Sequence, residues 1–263
     1  MHPILLDLHF GIFSREIVVR AYGIICAIGF LAGIYMAFRE ARRLGRNPGV
    51  VLDLSFWLIF AGMTGGRIAF ILVNFSEYFG NPVEILRFWD GGFVWYGGLI
   101  GAIAGGWIFM AVKSIEFAPM ADIMILGVPL GHAIGRIGCF MAGCCWGKPC
   151  GDDFPLGVMF GDPESAAPKN VHLHPVQLYE AAGELAIFGV LMALRGRKKF
   201  EGQIFLVYLV LYSALRFAVE FFRGDRIRGL YFNQTVSIGQ ILSVLVFLVA
   251  ATALAVLIRR VKR

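Results

Sequence analysis

Seven stretches of mostly apolar residues, each about twenty residues long and so able to cross the hydrocarbon core of a bilayer as a helix, dominate this 263-residue chain. They run from Ile17 to Phe38, Leu52 to Val73, Trp95 to Val112, Ala121 to Ala142, Val176 to Leu194, Ile204 to Phe222 and Val236 to Ile258. The rest of the composition agrees, with 58% hydrophobic and only 16% charged residues, a balance foreign to soluble domains. The fold class expected is therefore all-α, a polytopic membrane protein with about seven transmembrane helices. No basic residue precedes Arg15 and no small-residue cleavage pattern follows the first span, so that span reads as retained and not as a signal peptide.

Charge sets the expected orientation. Basic clusters follow span one (Arg39, Arg42, Arg43, Arg46), span five (Arg195, Arg197, Lys198, Lys199) and span seven (Arg259, Arg260, Lys262, Arg263). All three lie on one side of a seven-span chain, which the positive-inside rule makes cytoplasmic. The N-terminus is then outside and the C-terminus cytoplasmic. These anchors hold half of the 24 lysines and arginines, so the net charge of +6 implies no nucleic-acid partner.

No linker or low-complexity tract divides the chain, and no repeat of the kind common in transporters is visible. Residues 1–263 are expected to form a single transmembrane helical domain with two extracytoplasmic loops, at about 74–94 and 143–175. The first loop carries Phe75, Tyr78, Phe79, Phe88, Trp89, Phe93 and Trp95, a composition suited to the headgroup level, either as an aromatic belt or as a lipid-gathering arm. Gly97, Gly98 and Gly101 open span three, with Gly105 and Gly106 beyond them. Helix packing accounts for most of these. The doublet Gly97-Gly98 would also let a ligand reach backbone amides at a helix start.

Arginines inside apolar runs are costly, about 2.5–3.5 kcal/mol at the bilayer centre, and mark polar cavities or substrate paths. Arg67, Arg136 and Arg216 occupy three different spans, and their forked donors suit a phosphate such as a phospholipid headgroup. Glu220 lies one turn beyond Arg216 and competes as an ion-pair partner. No carboxylate lies within a turn of Arg136, so a ligand role is expected there. His174, Pro175, Gln177, Tyr179 and Glu180 crowd the mouth of span five. Cys139, Cys144, Cys145 and Cys150 fall within twelve residues, open to three readings: buried apolar residues, a disulfide of Cys144 or Cys145 with Cys150, or a membrane thiol oxidoreductase. The histidines and cysteines lack the usual zinc spacing, so no metal and no cofactor are expected.

In order and spacing these residues resemble the bacterial prolipoprotein diacylglyceryl transferase family. The likeness runs from Tyr22 to Ser243. It is carried by Arg20-Ala21-Tyr22-Gly23, Gly65-Gly66-Arg67, Tyr96-Gly97-Gly98-Leu99-Ile100-Gly101, and Gly135-Arg136-Ile137-Gly138-Cys139-Phe140 with Gly143 and Gly147. It continues through His174-Pro175-Val176-Gln177-Leu178-Tyr179-Glu180, Arg216-Phe217, Glu220-Phe221-Phe222-Arg223 and Gly239-Gln240-Ile241-Leu242-Ser243. Three positions depart from the family pattern: Tyr96 stands for a usual His, Cys139 for Asn and Cys144 for an acidic residue.

The resemblance implies a seven-helix enzyme of the bacterial cytoplasmic membrane with its N-terminus outside. The implied reaction moves diacylglyceryl from phosphatidylglycerol to the lipobox cysteine thiol of a prolipoprotein, releasing glycerol phosphate and forming a thioether. Its partners are then phosphatidylglycerol, prolipoprotein signal peptides and the lipid bilayer. Arg136 and Arg216 are expected to be catalytic, lowering the thiol pKa and stabilising charge on the departing phosphate, with Tyr96 donating to that phosphate. Tyr22, Arg67, Gly97, Gly98, Gly138, Cys139, Gln177, Glu180 and Arg223 are expected to contact substrate, and Glu220 to orient Arg216. The rival functions are a thiol oxidoreductase built on the four outer cysteines and a phospholipid or anion transporter.

Overall fold

The computed structural model describes residues 4–10, 15–75, 78, 85, 91–225, 230–231 and 236–261. Its helices are α1 (Ala21–Arg43), α2 (Pro48–Val73), α3 (Trp95–Val112), α4 (Phe117–Ile125), α5 (Val128–Ala142), α6 (Val176–Leu194), α7 (Gln203–Glu220) and α8 (Ile238–Val261). Two short antiparallel pairs join them, β1 (Ile4–Phe10) with β2 (Arg15–Arg20) and β3 (Leu230–Tyr231) with β4 (Val236–Ser237). Six helices are long and apolar enough to cross a membrane, and α4 with α5 makes a seventh span if the pair, bent by 40°, is counted as one. The helical, seven-span expectation holds.

Two boundaries differ from expectation. The first helix starts at Ala21 and not at Ile17, because Ile17, Val18 and Val19 continue β2; consecutive β-branched residues favour an extended backbone. The run Ala121 to Ala142 is broken between Ile125 and Val128. Pro129 is the cause, since a proline has no N–H to give and its ring meets the carbonyl four residues earlier, here that of Ile125, where α4 ends.

The described chain divides into two compact units, residues 38–120 and residues 1–37 together with 121–263. In the first of these, α2 and α3 pack along glycines. A Cβ on Gly65 would lie 2.5 Å from the Gly97 carbonyl oxygen and 2.8 Å from the Gly101 Cα, so only small residues permit this approach. Of the aromatic residues expected to form an interfacial belt, Phe75, Phe93 and Trp95 are exposed and Tyr78 lies edge-on to Phe70. Phe79, Phe88 and Trp89 lie outside the described residues.

In the other unit, α1 meets α5 by the same device: a Cβ on Gly29 would come 2.7 Å from the Gly131 oxygen, and one on Gly33 2.9 Å from the Gly127 oxygen. Ile125, Leu126, Ile187, Leu191, Ile204 and Tyr208 form a buried apolar cluster among α4, α6 and α7. Asp122 of α4 caps α7 from outside that helix, accepting from the Gly202 and Phe205 amides at 2.9 Å each and from Lys198 Nζ at 3.1 Å. Ser237 and Gln240 form a reciprocal capping box at the start of α8, at 3.2 and 3.1 Å. Residues 143–175 are no loose loop: Phe160, Ala167 and Leu173 make a small buried core under Phe140, Trp146, Val158 and Val171.

Candidate active site

Helices α5 and α6 each present a polar pair one turn apart, His132 with Arg136 and Glu180 with Glu184. Residues four apart share a helix face, so two packed helices bring the pairs together as two rungs. Arg136 Nη2 donates to Glu180 Oε1 at 2.7 Å, and Arg136 Nε donates to His132 Nε2 at 3.2 Å. Because His132 Nε2 accepts, its ring proton sits on Nδ1. That atom lies 2.6 Å from Glu184 Oε1, close to the carboxylate but without the alignment of a hydrogen bond. Glu180 and Glu184 are almost wholly buried, at 1% and 0% exposure, where an unpartnered carboxylate would cost several kcal/mol. Tyr212 of α7 closes the group, its ring 5.6 Å from that of His132 and stacked on Tyr208 at 5.5 Å.

This arrangement corrects one expectation. Arg136 does have an acidic partner, brought by α6 from 44 residues away, and the rule of neighbours within one turn does not see it. The second arginine follows the i,i+4 alternative: Arg216 Nη2 pairs with Glu220 Oε2 at 2.7 Å. Its other terminal nitrogen, Nη1, is buried and has no hydrogen-bond partner among the described residues. Both guanidiniums lie within electrostatic range of the Tyr212 phenol. The start of α8 stands beside Arg216, whose Nη2 would be 3.4 Å from a Cβ on Gly239.

A third guanidinium comes from the strap after α7. Arg223 grips Asp225 with both arms of its fork, Nε to Oδ1 at 2.9 Å and Nη2 to Oδ2 at 2.6 Å. Burial opposes the cation, yet the bonds and charge of Asp225 outweigh it and hold Arg223 protonated above the ordinary arginine range. The strap is fastened to the segment after α5 by Lys148 N to Phe222 O at 2.7 Å and Gly224 N to Trp146 O at 3.0 Å. Gly147 and Gly224 touch backbone to backbone there, which leaves no room for a side chain.

The same segment collects thiols. Gly143 ends α5 in the left-handed conformation, φ 68°, and Cys145 is also left-handed at φ 57°, a position that disfavours residues with a Cβ. The turn brings the Cys139, Cys144 and Cys145 sulfurs within 4.8 Å of one another, each residue partly exposed. Hydrogen bonds from Cys139 and Cys144, then the charges of Arg223 and Arg136, favour the thiolate at Cys145 against its burial. All five cysteines are unpaired, so the disulfide considered for Cys144 or Cys145 with Cys150 is not formed. Cys150 stands apart from the trio, with its sulfur 3.1 Å from where a Gly157 Cβ would lie.

Gln177, 1% exposed, donates through Nε2 to the Cys144 carbonyl at 2.7 Å, and its Oε1 is buried with no partner among the described residues. Tyr22 of α1 packs at the same place: a Cβ on Gly138 would meet its ring at 3.4 Å, and its phenol lies near Cys26, Cys139 and Cys144. His174 is hydrogen-bonded to Tyr179 at 3.2 Å and wedged between Phe154 and Phe222.

Arg67, Tyr96, Gly97 and Gly98 belong to the unit of residues 38–120. Arg67 donates to the carbonyls of Gly91 at 2.6 Å, Gly92 at 3.4 Å and Ile85 at 3.4 Å, tying down the chain ahead of α3. Tyr96 is 42% exposed and lies edge-on to Trp95. A Cβ on Gly97 would meet the Gly65 oxygen at 2.6 Å, and one on Gly98 the Gly62 oxygen at 3.3 Å; close packing against α2 is the use the geometry makes of both.

Sequence reasoning missed His132, Glu184, Tyr212 and Asp225. The signal was present in the twin spacings His-x3-Arg and Glu-x3-Glu, which put two polar residues on one face of each apolar helix.

Comparison with known proteins identifies the family. The family model for prolipoprotein diacylglyceryl transferase matches residues 10–256. Phosphatidylglycerol--prolipoprotein diacylglyceryl transferases of Clostridium tetani and Clostridioides difficile are 34% and 39% identical, over 86% and 78% of both chains. One from Geobacter sulfurreducens is 35% identical over 92% of both. These relatives favour a transferase over the thiol oxidoreductase or the transporter. A match across nearly the whole length, to the family model and to relatives alike, establishes that the chain belongs to the prolipoprotein diacylglyceryl transferase family.

Proposed function

We propose that this protein, in the bacterial cytoplasmic membrane, transfers the diacylglyceryl group of phosphatidylglycerol to the lipobox cysteine thiol of a prolipoprotein. The cysteine sulfur bonds to the glyceryl carbon as the bond from that carbon to its phosphate oxygen breaks. The thiol gives up its proton, and glycerol phosphate leaves with the electron pair. Family membership supports the reaction, and one observation supports its location: the buried Nη1 of Arg216, which lacks any partner among the described residues. A buried donor left unbonded costs about 1–3 kcal/mol, and a phosphate oxygen would relieve that cost.

In this reading Glu220 holds Arg216 Nη2 so that Nη1 stays aimed at the lipid. Arg136, fixed by Glu180 and His132, stabilises charge that grows on the departing phosphate; its burial strengthens that contribution. Gln177 Oε1 and Tyr22 are proposed to contact headgroup or peptide, with Gly138 allowing Tyr22 its approach. Arg223, Cys139 and Glu180 are proposed at the acceptor side. For Tyr96 the proposed role is donation of its hydroxyl to phosphate, and for Arg67, Gly97 and Gly98 the shaping of a lipid contact.

The test is a purified-enzyme assay with phosphatidylglycerol vesicles and a lipobox peptide, read as the mass added to the peptide. Arg216→Ala and Arg136→Ala should each lower turnover about 10²–10³-fold, the scale of losing one preorganised donor to a developing oxyanion. Arg216→Lys should recover little, because an ammonium lacks the rigid planar fork whose two arms reach Glu220 and a phosphate in fixed directions. Normal turnover in either alanine variant removes the proposal. Tyr96→Phe at wild-type rate would reduce that ring to packing.

A further inference from the structure

Three cysteine sulfurs meet where α5 turns into the segment beyond it, and the chemistry described so far gives two of them, Cys144 and Cys145, no task. We propose that Cys139, Cys144 and Cys145 bind a zinc ion whose fourth position takes the thiol of the incoming cysteine peptide.

Geometry supports the site first. Three atoms within 4.8 Å of one another always have a point no more than about 2.8 Å from each, against about 2.3 Å for a zinc–sulfur bond. Small side-chain rotations close that difference. The spacing, one cysteine followed five and six residues later by an adjacent pair, is unlike the usual zinc motifs. It works here because the left-handed turn through Gly143 and the left-handed Cys145 fold the pair back over the end of α5.

Openness and surroundings support it next. Three protein ligands with a vacant fourth position are the form of catalytic zinc sites, whereas structural sites are closed by four. All three residues are partly exposed and Cys150 stays outside the cluster, so no fourth cysteine closes it. Beside it lies the buried Oε1 of Gln177, without a hydrogen-bond partner among the described residues, while its Nε2 is anchored on the Cys144 carbonyl; in this proposal that oxygen accepts from a donor on the incoming peptide. Charge balances as well. Three thiolates and a divalent cation sum to one negative charge, two once a fourth thiolate binds, and Arg136 and Arg223 stand close enough to act on Cys145.

The inference rests on the transfer reaction proposed above and gives its acceptor a means of activation. A coordinated thiol is deprotonated outright at neutral pH, whereas a free one at pKa about 8.5 is only a few per cent thiolate. Three enzyme thiols release their protons to solvent on taking up zinc, and the peptide thiol releases its own to solvent on entering the fourth position. Its sulfur then bonds to the glyceryl carbon while the carbon–oxygen bond to phosphate breaks. Nothing is oxidised or reduced, and the thioether product, a weak ligand, leaves.

The experiment uses the full-length enzyme purified in detergent with its thiols reduced. Titration with zinc, read by elemental analysis after desalting, should give one ion per chain. Titration with cobalt should give the sulfur-to-cobalt absorption bands of thiolate ligation. Cys144→Ser and Cys145→Ser should lose both signals, while Cys26→Ser and Cys150→Ser keep them. Circular dichroism shows whether each variant is folded. Removing zinc with a chelator should lower peptide lipidation at least tenfold at neutral pH, with recovery on adding zinc back. Absence of the cobalt bands in folded wild-type protein overturns the site, as does a disulfide within the trio in protein taken directly from membranes. Lipidation that is indifferent to the chelator overturns the activating role. If zinc-loaded enzyme transfers no lipid at all, the transferase reading has failed, and the cobalt titration still reports on the metal site by itself.

Discussion

A guanidinium inside an apolar helix is tolerable when a carboxylate shares its burial, and Arg136 with Glu180 meets that condition at 2.7 Å. The same reasoning makes His132 indispensable to Glu184, whose carboxylate has 0% exposure and whose near neighbour is the His132 ring. Replacing His132 by Ala strands that carboxylate and should cost about 3 kcal/mol of stability, the scale on which breaking a buried pair is felt. Glu184→Gln in the same background should return part of the loss, since a neutral amide costs less than a carboxylate to bury without a partner. Thermal unfolding in detergent of the two single variants and the double variant reads the coupling, and strictly additive losses would show that the pair does not interact. How far such residues are legible in a sequence depends on distance along the chain. Arg216 with Glu220 can be read directly because four residues span one turn. Arg136 stands out as a charge in an apolar run, but its partner arrives from another helix, and only the matching i,i+4 spacings of His132 with Arg136 and Glu180 with Glu184 hint at it.

Among the described residues, helices are tied at their ends and along glycine seams as well as by apolar clusters. Asp122 carries an unusual load for one side chain: it satisfies two amides in the first turn of α7 and the Lys198 ammonium, groups that would otherwise be left at a helix start with no internal acceptor. Asp122→Ala should therefore lower stability by about 2 kcal/mol, while Ser237→Ala, which removes one side of the α8 capping box, should cost about 1 kcal/mol. Thermal unfolding of the two variants checks the order, and an Asp122→Ala loss no larger than that of Ser237→Ala would mean that water replaces the aspartate. Helix positions are the legible part of this scale, because hydropathy marks lengths directly. Breaks and extensions are less so: Pro129 explains the gap after Ile125 once the helix direction is known, while β2 takes Ile17 to Arg20 from what reads as the start of a span. The compact fold of residues 143–175 has no hydropathy signature at all, since Phe160, Ala167 and Leu173 come together only through the turns between them.

For the molecule as a whole, the side of the membrane on which chemistry occurs follows from charge, and that orientation is a proposal of its own. The turn carrying Cys144 and Cys145 and the loop carrying Arg195, Arg197, Lys198 and Lys199 stand at opposite ends of α6, a helix of 19 residues that, at about 1.5 Å per residue, nearly spans a hydrocarbon core of about 30 Å. If the basic loop faces the cytoplasm, the thiols face outward, where lipobox peptides emerge from the membrane. A membrane-impermeant maleimide applied to intact spheroplasts should then label Cys150 when it is the sole cysteine. It should not label a cysteine placed at Gly196, where an added Cβ meets nothing within 4 Å, until the membrane is permeabilised. The reverse pattern would put the three-sulfur turn in the cytoplasm, and the acceptor peptide would then have to be lipidated before it crosses the membrane. Both sites lie outside the helices, so the labelling reads the side of the membrane without disturbing the paired arginines, and it separates the orientation argument from the transfer chemistry that depends on them.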